Sequence, residues 1–167
     1  MLFKENIMAK NENKFLKTAF VLYVLIMLWL LFGQRLGWEV NGDYWENVGN
    51  SYNLEPFLTI GRFIRSMINP RSKEAIFEAV KNLGGNVILF VPFGFFIPAV
   101  SEKFKNPAST VLFGALCIAA VEVIQLFTLL GKCDIDDLIL NVIGIVTGRF
   151  IFYLVEKKKM SVDISEK

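Results

Sequence analysis

The sequence predicts an all-α membrane protein of about four transmembrane helices, with a long extracytoplasmic loop that contains a short interfacial helix. Three observations predict it. Hydrophobic residues make up 54% of the 167 residues and Phe occurs 16 times, well above a soluble domain of similar length. The mean hydropathy is +0.47. The apolar residues also gather in runs close to the roughly 20 residues that a helix needs to cross a hydrocarbon core of about 30 Å.

The first run, FLKTAFVLYVLIMLWLLFG, covers residues 15–33. It follows a basic arm carrying Lys4, Lys10, Lys14 and Lys17, and the GQRLGW after it holds no small-residue cleavage pattern. It therefore reads as a retained anchor and not as a signal peptide. The second run covers about 83–100, the third 108–130 and the fourth about 136–155. The arm, Lys103 and Lys105 in SEKFKNP, and the EKKK tail all fall on one side of a bundle threaded this way. The positive-inside rule makes that side cytoplasmic. The expected organisation is a cytoplasmic N-terminal arm at 1–14, a transmembrane domain at 15–155 and a cytoplasmic basic tail at 156–167. The expected location is the cell membrane, multi-pass, with both termini cytoplasmic.

The connection 34–82 then lies outside. Trp38, Tyr44, Trp45, Tyr52, Phe57 and Phe63 scatter rings along it that suit a water–lipid interface. Within it, Asn69 is a candidate N-cap, Pro70 a first helical position, and Gly84 with Gly85 a stop or bend. Ala75, Ile76, Ala79, Val80 and Leu83 share one face, as in a short helix lying along the interface or packed on the rest of the loop.

Composition also limits the chemistry. A net charge of +2 gives no reason to expect nucleic acid. The chain has no histidine, so proton transfer or metal ligation would fall to carboxylates, amides, Lys, Tyr or Cys. Cys117 and Cys133 form neither a metal spacing nor a disulfide framework and read as structural.

The fourth run opens with acids. Asp134, Asp137, Asn141, Gly144 and Gly148 are spaced three, four, three and four, the seam period of a packed helix. Its glycine part invites close approach of another helix, and its other end is carboxylate and amide. Asp136 falls off this stripe and points toward the interface or the loop; Ile145 is on another face. Glu122 and Gln125, three apart, share a face of the third run. An ionised Glu facing lipid at that depth would cost at least a few kcal/mol, so it should face the bundle. Asn86 lies at a similar depth, and three helices thus bring acid and amide groups to one outer-leaflet pocket. Amides can merely join helices, and aspartates at a helix start can merely cap it. For Asp136 alone that is the stronger reading. For Glu122, Gln125, Asp137 and Asn141 together, a functional cluster is.

NLEPF at 53–57, NLGGNVILFVPFGFFIP at 82–98, EVIQ at 122–125 and DIDDLILNVIGIVTG at 134–148 resemble, in order, the motifs of the VanZ-like family. The family's namesake is associated with resistance to the lipoglycopeptide teicoplanin. The resemblance implies a membrane protein of the bacterial envelope and raises glycopeptide resistance as a phenotype to test. Carried over by position, the family's polar residues fall on Asn53, Asn86, Glu122, Gln125, Asp134, Asp137 and Asn141, with Pro56, Pro92, Gly94 and Gly144 as shaping residues. Two departures stand out. Members commonly carry arginine in the turn before the acidic motif, where this chain has Lys132, which keeps the charge but lacks the planar fork. The residue after PF, often basic in relatives, is Leu58, for which Arg62 or Arg65 are candidate substitutes.

Two function classes follow. In the first, Asn53, Asn86, Glu122, Gln125, Asp134, Asp137 and Asn141 bind a polar envelope ligand: a membrane lipid headgroup, a lipid-linked cell-wall precursor or a lipoglycopeptide. In the second, Glu122 with Asp134 or Asp137 performs acid/base chemistry, or holds a divalent cation, on a lipid-linked substrate. No organic cofactor is implied, and a divalent cation is the one candidate. With no nucleophile motif and no phosphate loop, binding is the preferred expectation.

Overall fold

The computed structural model describes residues 2–33, 36–37 and 41–165, with side chains over 14–162 of these. Trp38, and the side chains of Lys4 and Lys10, lie outside the described residues. Among the described residues, six α-helices follow one another: α1 (Leu2–Phe32), α2 (Tyr44–Asn50), α3 (Leu58–Ile68), α4 (Lys73–Val100), α5 (Pro107–Thr128) and α6 (Ile135–Ser165). Two short strands, β1 (Tyr52–Asn53) and β2 (Cys133–Asp134), pair in parallel with Asn53 opposite Asp134. Four helical stretches are long and apolar enough to cross a membrane: Lys14–Phe32, Lys73–Val100, Pro107–Thr128 and Ile135–Val162. The expected four-span helical fold is present.

Several boundaries differ from expectation. α1 and α6 run on past the apolar stretches into the basic arm and tail. The helix expected to start at Asn69 and Pro70 and to stop at Gly84 and Gly85 is instead the first part of α4. Asn69 is already used as the C-cap of α3, its N–H donating to the Arg65 carbonyl at 2.9 Å. The N-cap of α4 passes to Ser72, whose hydroxyl accepts from the Ala75 N–H at 3.2 Å. The helix then continues through both glycines, because breaking it would leave backbone groups that lipid cannot satisfy. At 28 residues, α4 is about 42 Å long. The amphipathic helix of the connection is α3, in a stretch where the sequence marks only interfacial aromatics.

α4 and α6 form the centre. A Cβ on Gly148 would strike the Val91 carbonyl, one on Gly144 the Val87 carbonyl, and one on Gly94 the Ile145 backbone. The glycine stripe is thus a seam of close backbone approach, as the spacing predicted. Ile145, off that stripe, is no free face: it is fully buried and fills the space that a side chain at Gly114 would take. With Met27, Phe90, Phe93, Ile97 and Ile118 it makes the core. α1 lies outside this centre, joined to α4 by the Tyr23 hydroxyl, which donates to the Leu89 carbonyl at 2.7 Å. Its Val21, Leu22, Leu25, Ile26 and Trp29 stay exposed, as a lipid-facing surface would be.

The bundle has two different ends. At the end near the termini, Arg149 donates to the Lys105 carbonyl at 2.6 Å and lies over the Phe152 ring. At the loop end, the Cys133 N–H donates to the Ser51 carbonyl at 2.9 Å, and the Tyr44 hydroxyl to the Phe127 carbonyl at 2.7 Å. These bonds fasten the connection over the ends of α5 and α6.

Candidate functional site

At the loop end the acidic motif at the start of α6 is hydrogen-bonded to α3, α4 and α5. Asp136, fully buried in the first turn of α6, accepts from the backbone N–H groups of Phe57 at 2.6 Å, Thr59 at 2.8 Å and Ile60 at 3.0 Å. These are donors that the start of α3 leaves unpaired. The residue in the N-cap position of α3 is Phe57, which has a left-handed φ of 65° and no side chain able to cap. Asp136 therefore supplies, across 76 to 79 residues of chain, the cap that the local sequence lacks. Of the two directions expected for it, the loop is the one observed.

Asp134 continues this network. Its carboxylate accepts from Asn53 Nδ2 at 3.1 Å, from the Thr59 hydroxyl at 2.6 Å and from the Asp136 N–H at 2.9 Å. The Asp134 N–H in turn donates to Glu122 at 2.9 Å. Glu122 faces the bundle as its depth required, and it is buried together with Asp134. One chain of hydrogen bonds thus runs from α5 through the start of α6 to β1 and α3. Cys133 sits beside it; burial pushes its thiol above the ordinary range, and the Glu122 and Asp134 charges push it further. Cys117 and Cys133 are unpaired and half-buried.

Asp137 lies in the next position of α6 and has a different setting. Asn86 on α4 donates to it at 2.5 Å, and Asp137 borders a cavity of about 220 Å³ under α3. Asp134, Gln125, Asn82, Arg62 and Lys132 also line this cavity, so both signs of charge face one small space. Gln125 reaches it while donating to the Leu31 carbonyl at 3.0 Å, which ties the end of α1 to α5. A Cβ on Gly131 would strike that glutamine side chain, so the turn before the acidic motif needs a residue without one.

Gln125, Asp134 and Asp137 are therefore brought to the cavity. Asn53, Asn86 and Glu122 are hydrogen-bond partners around it and do not line it. Asn141 is farther along α6, buried, with an Oδ1 that finds no partner among the described residues. Sequence reasoning missed Thr59 and Asn82. Asn82 had a signal, since it precedes Asn86 by four and so shares its helical face. Leu58 is replaced at the cavity by Arg62, one turn later on α3, while Arg65 lies on a neighbouring groove. Among the described residues, no three acidic or thiol groups come together as a set that could hold a metal ion.

The VanZ/LLP1 family model matches residues 20–156, a stretch that includes all of the cavity-lining residues named above. No curated protein and no solved structure gives a significant match. With the family match covering most of its length and four membrane-length apolar helices in its fold, the chain belongs to the VanZ/LLP1 family.

Proposed function

We propose that this protein recognises a polar envelope ligand at the loop end of its bundle, on the outer face of the cell membrane. The observation that carries the reading is the cavity of about 220 Å³ in which Asp134 and Asp137 face the same space as Arg62 and Lys132. Carboxylates accept from amines and hydroxyls, while the cations meet phosphate or carboxylate. Its size suits one polar group of a larger molecule: a lipid headgroup, the end of a lipid-linked cell-wall precursor, or a sugar or amine of a lipoglycopeptide. The lysines support the orientation, because Lys103, Lys105 and Lys157 to Lys159 gather at the other end.

Recognition fits the geometry better than catalysis does. Three donors already occupy the Asp134 carboxylate, and Glu122 is bonded to backbone. A general acid or base needs an oxygen within reach of a reacting proton, and these two are committed to the fold. Asp137, which borders the cavity while accepting from Asn86, is the carboxylate that we assign to ligand contact.

Asp137→Asn keeps the size of that side chain and removes its charge. In a sensitive host, the wild-type protein is expected to protect against teicoplanin and not against vancomycin, which lacks the acyl chain. Asp137→Asn should lose that protection at unchanged membrane abundance, since one charge-assisted contact is worth about tenfold in affinity. Protection undiminished in the variant would overturn the pocket assignment. A wild type that protects against neither drug would remove the resistance phenotype and leave headgroup recognition to be measured by lipid binding.

A further inference from the structure

Beside the carboxylate pocket a larger groove of about 660 Å³ opens where α3 meets the start of α4. Arg62, Arg65 and Arg71 converge on it, with Ser66 and Asn69 between them. Arg62 and Arg65 are three apart and share a face of α3, and Arg71 belongs to the link that turns the chain into α4. Three guanidinium groups gathered in one concavity repel one another unless anions neutralise them. No acid lines the groove, and the ion pairs among the described residues join Lys81 to Glu78 and Lys105 to Glu102 and Glu156; the carboxylates that Arg62 faces belong to the neighbouring cavity and leave Arg65 and Arg71 to the groove.

The surroundings indicate where the anion comes from. Phe57, Ile64, Met67 and Ile68 of the same segment are exposed, Ile68 by 70%. A short helix that presents both apolar side chains and arginines at the end of a membrane bundle has the character of an interfacial helix. Its apolar residues meet acyl chains while its cations lie level with headgroups. We propose that the groove is a phosphate site for a membrane lipid headgroup, with Arg65 and Arg71 as the principal donors and Arg62 as the wall shared with the carboxylate pocket. The guanidinium fork matches two phosphate oxygens at once, which lysine cannot do. The Ser66 hydroxyl donates to the Arg62 carbonyl at 3.0 Å and keeps its lone pairs for a headgroup hydroxyl. The site stands independently of the carboxylate pocket, because neither Arg65 nor Arg71 lines that pocket.

The test uses the full chain in dodecyl maltoside, with dissociation constants measured by microscale thermophoresis. The probes are dihexanoylphosphatidylglycerol, dihexanoylglycerol, which lacks the phosphate, and inorganic phosphate. The phosphatidylglycerol should bind at least about tenfold more tightly than either other probe, and less tightly as salt is raised. Arg65→Gln/Arg71→Gln should weaken it about tenfold or more, and Lys105→Gln, at the other end of the bundle and in neither cavity, should leave it unchanged. Arg65→Lys/Arg71→Lys, which keeps the charge and the fold, should fall between wild type and the glutamine pair. Equal binding by wild type and the glutamine pair would overturn the site, as would equal binding of dihexanoylglycerol. Inorganic phosphate binding as tightly as the lipid would overturn the lipid source. Loss in Lys132→Gln with the arginine variants unaffected would place the phosphate in the carboxylate pocket and overturn the groove.

Discussion

Asp136→Ala is expected to destabilise the protein by about 3–5 kcal/mol, among the largest effects available to a single polar residue. The change removes one side chain and strands the N–H groups of Phe57, Thr59 and Ile60 together. Each buried donor left unsatisfied costs about 1–3 kcal/mol, less what water recovers once the turn loosens. The held segment also includes the left-handed Phe57, a conformation that a phenylalanine keeps only when its surroundings impose it. Asp136→Asn retains one acceptor oxygen, so its cost should be smaller, about 1–3 kcal/mol. Thermal unfolding in detergent would rank the variants. Hydrogen exchange would locate the damage, with the amides of Phe57, Thr59 and Ile60 losing protection before those of α4. Wild-type exchange at these amides in Asp136→Ala would show that the cap is not what orders α3.

Gly148→Ala should cost about 1–3 kcal/mol although it adds a single methyl group, and Gly144→Leu should cost more. At Gly148 the new carbon would strike the Val91 carbonyl and lie 2.9 Å from the Phe95 nitrogen, so α4 and α6 would have to part. Neither atom is the flexible end of a side chain; both are helix backbone. Gly84→Ala provides the contrast, because nothing lies within 4 Å of its missing Cβ. There the substitution should be neutral or stabilise by up to about 1 kcal/mol, the usual gain of alanine over glycine inside a helix. Melting temperatures of the two alanine variants should therefore move in different directions. Equal effects would mean that the seam tolerates a methyl group.

The two results bear on what a sequence of this kind discloses. The spans were legible because a run of apolar residues long enough to cross lipid has few other uses. The seam was legible because helical phase converts the positions of Gly144 and Gly148 into a face. Depth alone set Asn86 level with Glu122 and Gln125, and the partner it meets is Asp137 of the same cluster. What escaped was pairing at long range. Nothing near Asp136 indicates that it caps a helix starting at Leu58, and nothing near Leu58 indicates that its cap comes from another segment. The parallel pairing of Tyr52 and Asn53 with Cys133 and Asp134 is equally silent, since two residues hold no period. α3 itself had a signal in Ile60, Phe63, Ile64 and Met67, spaced three, one and three, but Gly61 and the surrounding aromatic scatter made the stretch read as loop. The shift of the α4 cap from Asn69 to Ser72 has the same origin, because it depends on where α3 ends.

A recognition pocket for envelope ligands must open to the outside of the cell. Lys132 is exposed on the rim of the cavity, and Lys158 is exposed near the far end of α6. In a background lacking Cys117 and Cys133, a single cysteine at each of these positions can be labelled in intact cells with a membrane-impermeant maleimide. Lys132→Cys should react at once, and Lys158→Cys only after the cells are permeabilised. Reaction at position 158 in intact cells, with position 132 silent, would turn the bundle over, place the carboxylate cavity in the cytoplasm and contradict outward recognition.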